Sequence, residues 1–324
     1  MKNKKMKDSI MKKILVTGAF GQIGSELIPS LWEKFGKENV VAVGNRNIPE
    51  GFDGLVEKLR MPDRDGLEAL IKKHDIGTIY HLVSLLSATG EEKPGFTWDL
   101  NMQSLKDALD LSVENGIKVF WPSSIAAFGP TTPRDNTPQR TILEPTTMYG
   151  VTKVAGELMC QYYFNKFNLD VRSVRYPGII SYKTPPGGGT TDYAVAIFYE
   201  ALQTGRYECF VKADTVLPMM YMDDAVKATI DLMEADPSLL TIRTSYNLAA
   251  ISFTVTQLAE EINKHVKVEV SYKPDSRQAI ADSWPKSIDD SQARQDWGWN
   301  HSYDLEKMTV VMLEELKKKF EAEK

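Results

Sequence analysis

KILVTGAFGQIG, residues 13–24, decides the fold. Its Ile-Leu-Val run predicts a buried strand. Gly18, Gly21 and Gly24 follow it, and SELIPSLWEKFG (25–36) then carries helical apolar spacing, with Pro29 expected to kink or delay the helix. Glycines between a strand and a helix permit a tight turn, let the backbone approach a pyrophosphate, and let helix and strand pack closely. The spacing is GxxGxxG rather than GxGxxG. Three glycines alone are a weak signal, because glycines often serve only a turn; the strand before and the helix after make this one strong.

The same alternation continues outward. NVVAVG (39–44), TIYHLVS (78–84), KVFWPSS (118–124) and DVRSVRYPG (170–178) read as strands. DGLEALIKKHD (65–75), DLNMQSLKDALDLSVENG (99–116) and YGVTKVAGELMCQYYFNKF (149–167) read as helices. Strand and helix in turn, with short connections, predict an α/β fold: a doubly wound parallel sheet covered on both faces. After Gly178 the pattern changes to a Gly-, Pro- and Thr-rich stretch and mixed short elements. The expected organisation is a loose N-terminal extension over 1–12, a dinucleotide-binding domain over 13–178, and a smaller region over 179–324. That region mainly binds substrate, with some segments returning to the first domain.

The chain has 324 residues, 42% hydrophobic and 26% charged, with a formal net charge of -5. That balance suits a soluble globular protein and gives no basic patch for nucleic acid beyond the N-terminal tail. The tail lacks the apolar segment of a signal peptide, and no apolar run reaches the roughly 20 residues of a membrane span. Cys160 and Cys209 form no framework and fit a reducing cytoplasm. His74, His81, His265 and His301 are scattered, and neither cysteine has a partner at ligand spacing, so a metal-free site is expected.

Tyr149 and Lys153 fall four residues apart on one predicted helix face. Alone, such a pair is more often an amphipathic surface feature. Here Ser123 and Ser124 end a strand upstream, where a hydroxyl reaches the same region. Tyrosine titrates near pH ~10, so a base working near neutrality needs a shift of about three units, roughly 4 kcal/mol. The neighbouring Lys153 ammonium acts in that direction by favouring the phenolate.

With the glycine loop, these three residues make the chain resemble the extended short-chain dehydrogenase/reductases, typified by UDP-galactose 4-epimerase. Five longer stretches narrow the likeness: LLSAT (85–89), WPSSIAAFGPTTP (121–133), RYPGIISYKTPPGGGTTDYA (175–194), PMMYMDDA (218–225) and ADSWPKSIDDSQAR (281–294). They resemble the short-chain-type L-threonine 3-dehydrogenases over essentially the whole chain from Lys13. The resemblance implies oxidation of L-threonine at C3 to 2-amino-3-ketobutyrate, with hydride passing to NAD. It implies Tyr149 as base, Ser124 as orienting hydroxyl, and Lys153 on the nicotinamide ribose. It places the cofactor against Gly18, Phe20, Gly21, Gln22, Ile23, Gly24, Asn45, Arg46, Asp63, Leu85, Asn101, Tyr176 and Pro177. Ser87, Gly188, Thr190, Thr191 and Trp284 join Ser124 and Tyr149 at the substrate. It also implies a cytoplasmic homodimer, formed through the helices starting near Asn101 and Tyr149.

Competing readings stay open at this stage. Ser84 stands as an alternative to Ser87. Trp284 before Pro285 fits core packing as well as a pocket wall. Asp63 fits a solvated loop acid, and Asn101 a helix cap. Asp223 and Asp224 look like a metal pair but fit the capping of the following helix better. A nucleotide-sugar epimerase or dehydratase shares the same cofactor half, with Lys183, Lys212, Arg277 and Arg294 as candidate diphosphate ligands. A non-catalytic cofactor sensor needs no base.

VVAVGNRN (40–47) bears on the cofactor. An acid that grips the adenosine ribose is expected where Gly44 stands. Its absence leaves NAD preferred but NADP not excluded, and a restored acid, Gly44→Asp, is expected to raise the NAD over NADP ratio.

Overall fold

The sheet grows from β1 (Lys13–Thr17), whose Ile14 and Val16 point to one face and Leu15 to the other. The computed structural model describes residues 12–45 and 48–323; residues 1–11, 46, 47 and 324, and the side chains of 87–89, lie outside the described residues. Nearly all of the expected N-terminal extension, and Arg46, fall outside.

From β1 the chain runs through α1 (Gly24–Phe35), β2 (Val40–Gly44), β3 (Leu55–Lys58), α2 (Arg64–His74), β4 (Ile76–His81), α3 (Ser87–Glu92) and α4 (Pro94–Asn115). It continues through β5 (Lys118–Ser124), α5 (Met148–Phe167), β6 (Val171–Tyr176), β7 (Gly178–Ile180) and α6 (Tyr193–Gln203). Then come β8 (Arg206–Cys209), β9 (Val216–Tyr221), α7 (Met222–Glu234), β10 (Tyr246–Asn247), β11 (Ile251–Thr254) and α8 (Val255–Asn263). β12 (Glu269–Tyr272), α9 (Arg277–Asp282), α10 (Ser291–Trp297) and α11 (Leu305–Ala322) complete it.

Seven parallel strands lie in the order β10-β6-β5-β4-β1-β2-β3. This is the doubly wound arrangement expected. One face is covered by α1 and α7, where Leu27, Leu31, Met222 and Ala225 meet Ile14 and Val16; the other by α2 and α4 against Leu15, Val41 and Ile79. Strand order reverses between β1 and β4, which opens a crevice at their carboxyl ends. Pro29 sits inside α1 and forgoes one backbone bond without ending the helix.

The later residues build a second core around Phe198, Leu217, Phe253, Leu258 and Met312. β11, β9 and β7 form a mixed three-stranded sheet, and β12 pairs with β8. β10 returns to the main sheet beside β6. Two expectations change. α4 begins at Pro94, a favourable first helical residue, so Asn101 lies two turns inside it and cannot cap it. α7 begins at Met222 without a side-chain cap. Asp224 instead accepts from the Ser302 and Tyr303 amides at 2.8 and 3.0 Å, and Asp223 from the Tyr303 hydroxyl at 2.8 Å, tying α7 to the run before α11.

Candidate active site

The glycine loop joins β1 to α1 at the crevice. Gly18 has a φ of +69°, and a Cβ there would lie 2.9 Å from the Leu82 carbonyl carbon. A Cβ on Gly24 would come within 2.5 Å of the Gly18 oxygen. Both are therefore fixed by close backbone packing. Gly21 differs: a Cβ would meet only the Gly18 oxygen, at 3.3 Å, so its outward side is open. α1 starts with no side chain capping its amides. An open glycine beside uncapped helix amides is a fitting cradle for a dinucleotide pyrophosphate.

From this loop a cleft runs in two directions. Gly18, Phe20, Gly21, Gly44, Asn45, Leu82, Val83 and Ser84 line one arm. The other has about 160 Å³ of free space and takes in Gln22, Ile23, Ser84, Leu86, Ser124, Tyr149, Lys153, Tyr176, Pro177, Thr190, Thr191 and Trp284. The three residues singled out for chemistry thus converge on one arm. Ser124 ends β5, and Tyr149 and Lys153 face the cleft from successive turns of α5.

Lys153 is 3% exposed. Its ammonium donates to the Pro122 carbonyl at 2.7 Å and sits 4.6 Å from the Trp121 ring centre and 5.2 Å from that of Tyr149. Burial pushes it down to about 7, against the pull of Glu157 in the other direction. Tyr149 is pushed up to about 12 by burial, while the neighbouring Ser124 hydroxyl pulls it down. That is the reverse of the expected shift. In the free protein, loss of water around the phenol outweighs its neighbours, and it is Ser124 that acts to lower Tyr149.

Other site residues hold the walls. Asn101 accepts from the Leu85 amide at 2.8 Å and donates to the Leu85 carbonyl and the Thr152 hydroxyl, both at 3.2 Å. It thereby ties the loop after β4 to α5 through the Leu85 backbone, and from that loop Leu82, Ser84 and Leu86 line the cleft. Ser87 opens α3, but its side chain lies outside the described residues. Gly188, at φ +92°, takes a left-handed turn that suits glycine, and Gly189 beside it is the glycine that lines the cleft. Asp63 is exposed and caps α2, accepting from the Gly66 amide at 2.9 Å. Trp284 is both cleft wall and core residue, 5% exposed. His81 bridges the Thr17 hydroxyl (2.9 Å) and Ser104 hydroxyl (3.2 Å), and burial holds it neutral near 3. Among the described residues no three His, Cys, Asp or Glu side chains gather as a metal site, and no helix is long and apolar enough to cross a membrane.

Sequence reasoning missed Asp192. It accepts from the Gly187 and Gly189 amides at 2.7 and 2.8 Å and so shapes the glycine-rich loop where that loop meets the cleft. Its place between GGGTT and a helix was the available signal.

The family model described as the NAD dependent epimerase/dehydratase family matches residues 14–249. The chain belongs to this family. Its relatives include an uncharacterized epimerase/dehydratase of Staphylococcus haemolyticus, 49% identical over 95% of this chain and 99% of that one. Among solved structures, it is similar to the holo form of a GalE-like L-threonine dehydrogenase from Cupriavidus necator: 52% identity, TM-score 0.92, covering 94% of this chain and 99% of that one. A partial consensus L-threonine 3-dehydrogenase is similar at 53% identity and TM-score 0.91, with the same coverage. As a member of the NAD dependent epimerase/dehydratase family the chain takes a nicotinamide cofactor.

Proposed function

We propose that this chain oxidises L-threonine at C3 to 2-amino-3-ketobutyrate, with NAD as cofactor and without a metal. The observation that carries the reading is the convergence of Ser124, Tyr149 and Lys153 on one small arm of the cleft. Bound there, the dinucleotide supplies the hydride acceptor. The Tyr149 oxygen takes the proton of the substrate's 3-hydroxyl, and Ser124 orients that hydroxyl. Lys153 is assigned to the nicotinamide ribose, and Thr190, Thr191 and Trp284 to the substrate's amino-acid end. Ser87 remains assigned there by resemblance, with Ser84 the serine seen on the cleft wall.

A nucleotide-sugar substrate is the weaker reading. The arm that holds Ser124, Tyr149 and Lys153 has about 160 Å³ of free space and, among the described residues, no Lys or Arg on its walls besides Lys153. The basic residues that would hold its diphosphate are engaged elsewhere or face water. Lys183 pairs with Glu26, Arg277 with Asp275 and Arg294 with Asp290, while Lys212 is exposed; none lines the cleft.

The chain is also assigned to the cytoplasm as a homodimer. Exposed Phe96 and Trp98 on α4 and Leu158 and Tyr162 on α5 support the pairing. Light scattering at assay concentration tests it, and a mass of one chain would refute it.

Initial rates with purified protein test the activity, using L-threonine and L-serine, each with NAD and NADP. Reduced cofactor is expected with L-threonine and NAD; none would sink the reading. Tyr149→Phe should abolish turnover while leaving cofactor binding largely intact, which separates an enzyme from a cofactor sensor. Full activity in that variant would rule out Tyr149 as base.

A further inference from the structure

We propose that Phe20 and Gly44 form one specificity device at the adenosine arm of the cleft. The phenyl ring fills the space a side chain at position 44 needs, so the ribose meets an apolar wall instead of a carboxylate. This rests on the reading of the cleft as a nicotinamide-cofactor site.

Gly44 is the last residue of β2, and its φ lies outside the left-handed region, so its backbone would accept any residue. What excludes a side chain is steric. A Cβ there would lie 2.5 Å from Phe20 Cδ2, 2.7 Å from Cε2 and 3.2 Å from Ile48 Cγ1. Even alanine requires the ring to move.

The ring is held by a second aromatic. Phe52 meets it edge-on at 5.0 Å, and Phe52 in turn lies 5.3 Å from Trp32 of α1. Gly54 admits that pair closely: its Cβ would strike Trp32 Cζ2 at 2.5 Å and Phe52 Cε1 at 2.9 Å. The Phe20 backbone is fixed as well, because the neighbouring Ala19 amide donates to the Val43 carbonyl at 3.2 Å. Swinging Phe20 away therefore gives up its edge-on contact in an aromatic cluster that joins the glycine loop, the 48–54 segment and α1.

The consequence is electrostatic. The described residues lining this arm are Gly18, Phe20, Gly21, Gly44, Asn45, Leu82, Val83 and Ser84, none of them charged. No carboxylate there repels a 2′-phosphate. An acid installed at position 44 alone meets the Phe20 ring before it meets the ribose, so Gly44→Asp by itself weakens both cofactors instead of sharpening the choice. Discrimination requires the acid and a smaller residue at position 20 together.

Calorimetric titration of NADH and NADPH into the unmodified chain, Phe20→Ala, Gly44→Asp and the double variant tests this, with thermal unfolding to establish that each is folded. The unmodified chain should bind the two dinucleotides with Kd values within about tenfold of each other. Gly44→Asp should bind both at least about tenfold more weakly. The double variant should regain NADH and reject NADPH by about tenfold or more, through like-charge repulsion. If Gly44→Asp does not fold, the NADPH to NADH Kd ratio of the double variant against Phe20→Ala still decides, and an unchanged ratio overturns the proposal. Gly44→Asp that alone keeps NADH affinity and rejects NADPH would also overturn it. No binding of either dinucleotide by the unmodified chain would bring down the cofactor reading, and this inference with it.

Discussion

Glu157 of α5 and Arg175 of β6 meet in a two-point ion pair, at 2.9 and 2.6 Å, with side chains 1% and 3% exposed. The pair stands directly behind the active-site serines: Ser123 donates to Glu157 Oε1 at 2.6 Å. Arg175 also donates to Asn247 Oδ1 at 2.9 Å and to the Gln139 carbonyl at 3.1 Å. A buried pair holds its desolvation cost down only when its remaining donors and acceptors find partners, and here Ser123, Asn247 and the Gln139 carbonyl supply them. The helix carrying Tyr149 and Lys153 is thereby pinned to β5, β6 and β10 at once.

Glu157→Leu leaves the Arg175 charge buried and unpaired. It should cost about 3–5 kcal/mol of stability in urea unfolding. Arg175→Met should cost a similar amount, and the double substitution much less than the sum. Additive losses would show that the two residues act independently.

Ser124→Ala removes the hydroxyl that pulls Tyr149 down, so Tyr149 rises further. The rate should fall by about 10²–10⁴ if the serine shares the proton-transfer step. The rising limb of the kcat/KM profile should also move to higher pH, a change that lost substrate contact alone would not cause. A lower rate with an unmoved profile would confine Ser124 to binding.

Much of this site was legible because its signals are local. Ile14, Leu15 and Val16 mark a strand by themselves, and Tyr149 and Lys153 declare a shared face by spacing. Asn101 was misplaced on its helix because the true start, Pro94, carries no side-chain cap. The sheet of β7, β9 and β11 was not legible at all. Its strands are short, and Gly178 pairs with Met219, which pairs with Ile251, through contacts that no local periodicity records. Phe20 over Gly44 is of the same kind, since the ring is held only once Phe52 has folded back beside α1.

Lys153 links stability to pH. Its folded value of about 7 lies below its unfolded value, which is ~10.4. Between these the unfolded chain holds a proton that the folded chain lacks, so stability rises with pH, by about 1.4 kcal/mol per pH unit. Below about 7 the ammonium must be carried charged in its buried place, and the cost is full. Lys153→Met removes this dependence. Its stability relative to the unmodified chain should be most favourable at pH 6 and should decline steadily towards pH 10. Lys118, lowered to about 8, contributes equally to both proteins and cancels. A difference constant with pH would show that Lys153 is not depressed.

Gly156 sets how closely α5 lies on β5, and so where Lys153 stands. A Cβ there would come 2.3 Å from Trp121 Cη2, 2.5 Å from Cζ2 and 3.1 Å from Leu105 Cδ2 of α4. Trp121 is buried, 4% exposed, and its ring is the surface on which the Lys153 ammonium rests. On helix propensity alone Gly156→Ala would stabilise by up to about 1 kcal/mol. Overpacking acts against that and typically costs about 1–3 kcal/mol, so the variant should be less stable or at best level. Its tryptophan fluorescence should shift and its kcat should fall, because a displaced ring changes the surface on which Lys153 rests. Trp121→Phe added to Gly156→Ala should recover stability, the smaller ring giving the methyl its space. A Gly156→Ala protein that is more stable than the unmodified chain and equally active would show that α5 has slack against the sheet, and that Trp121 does not fix Lys153.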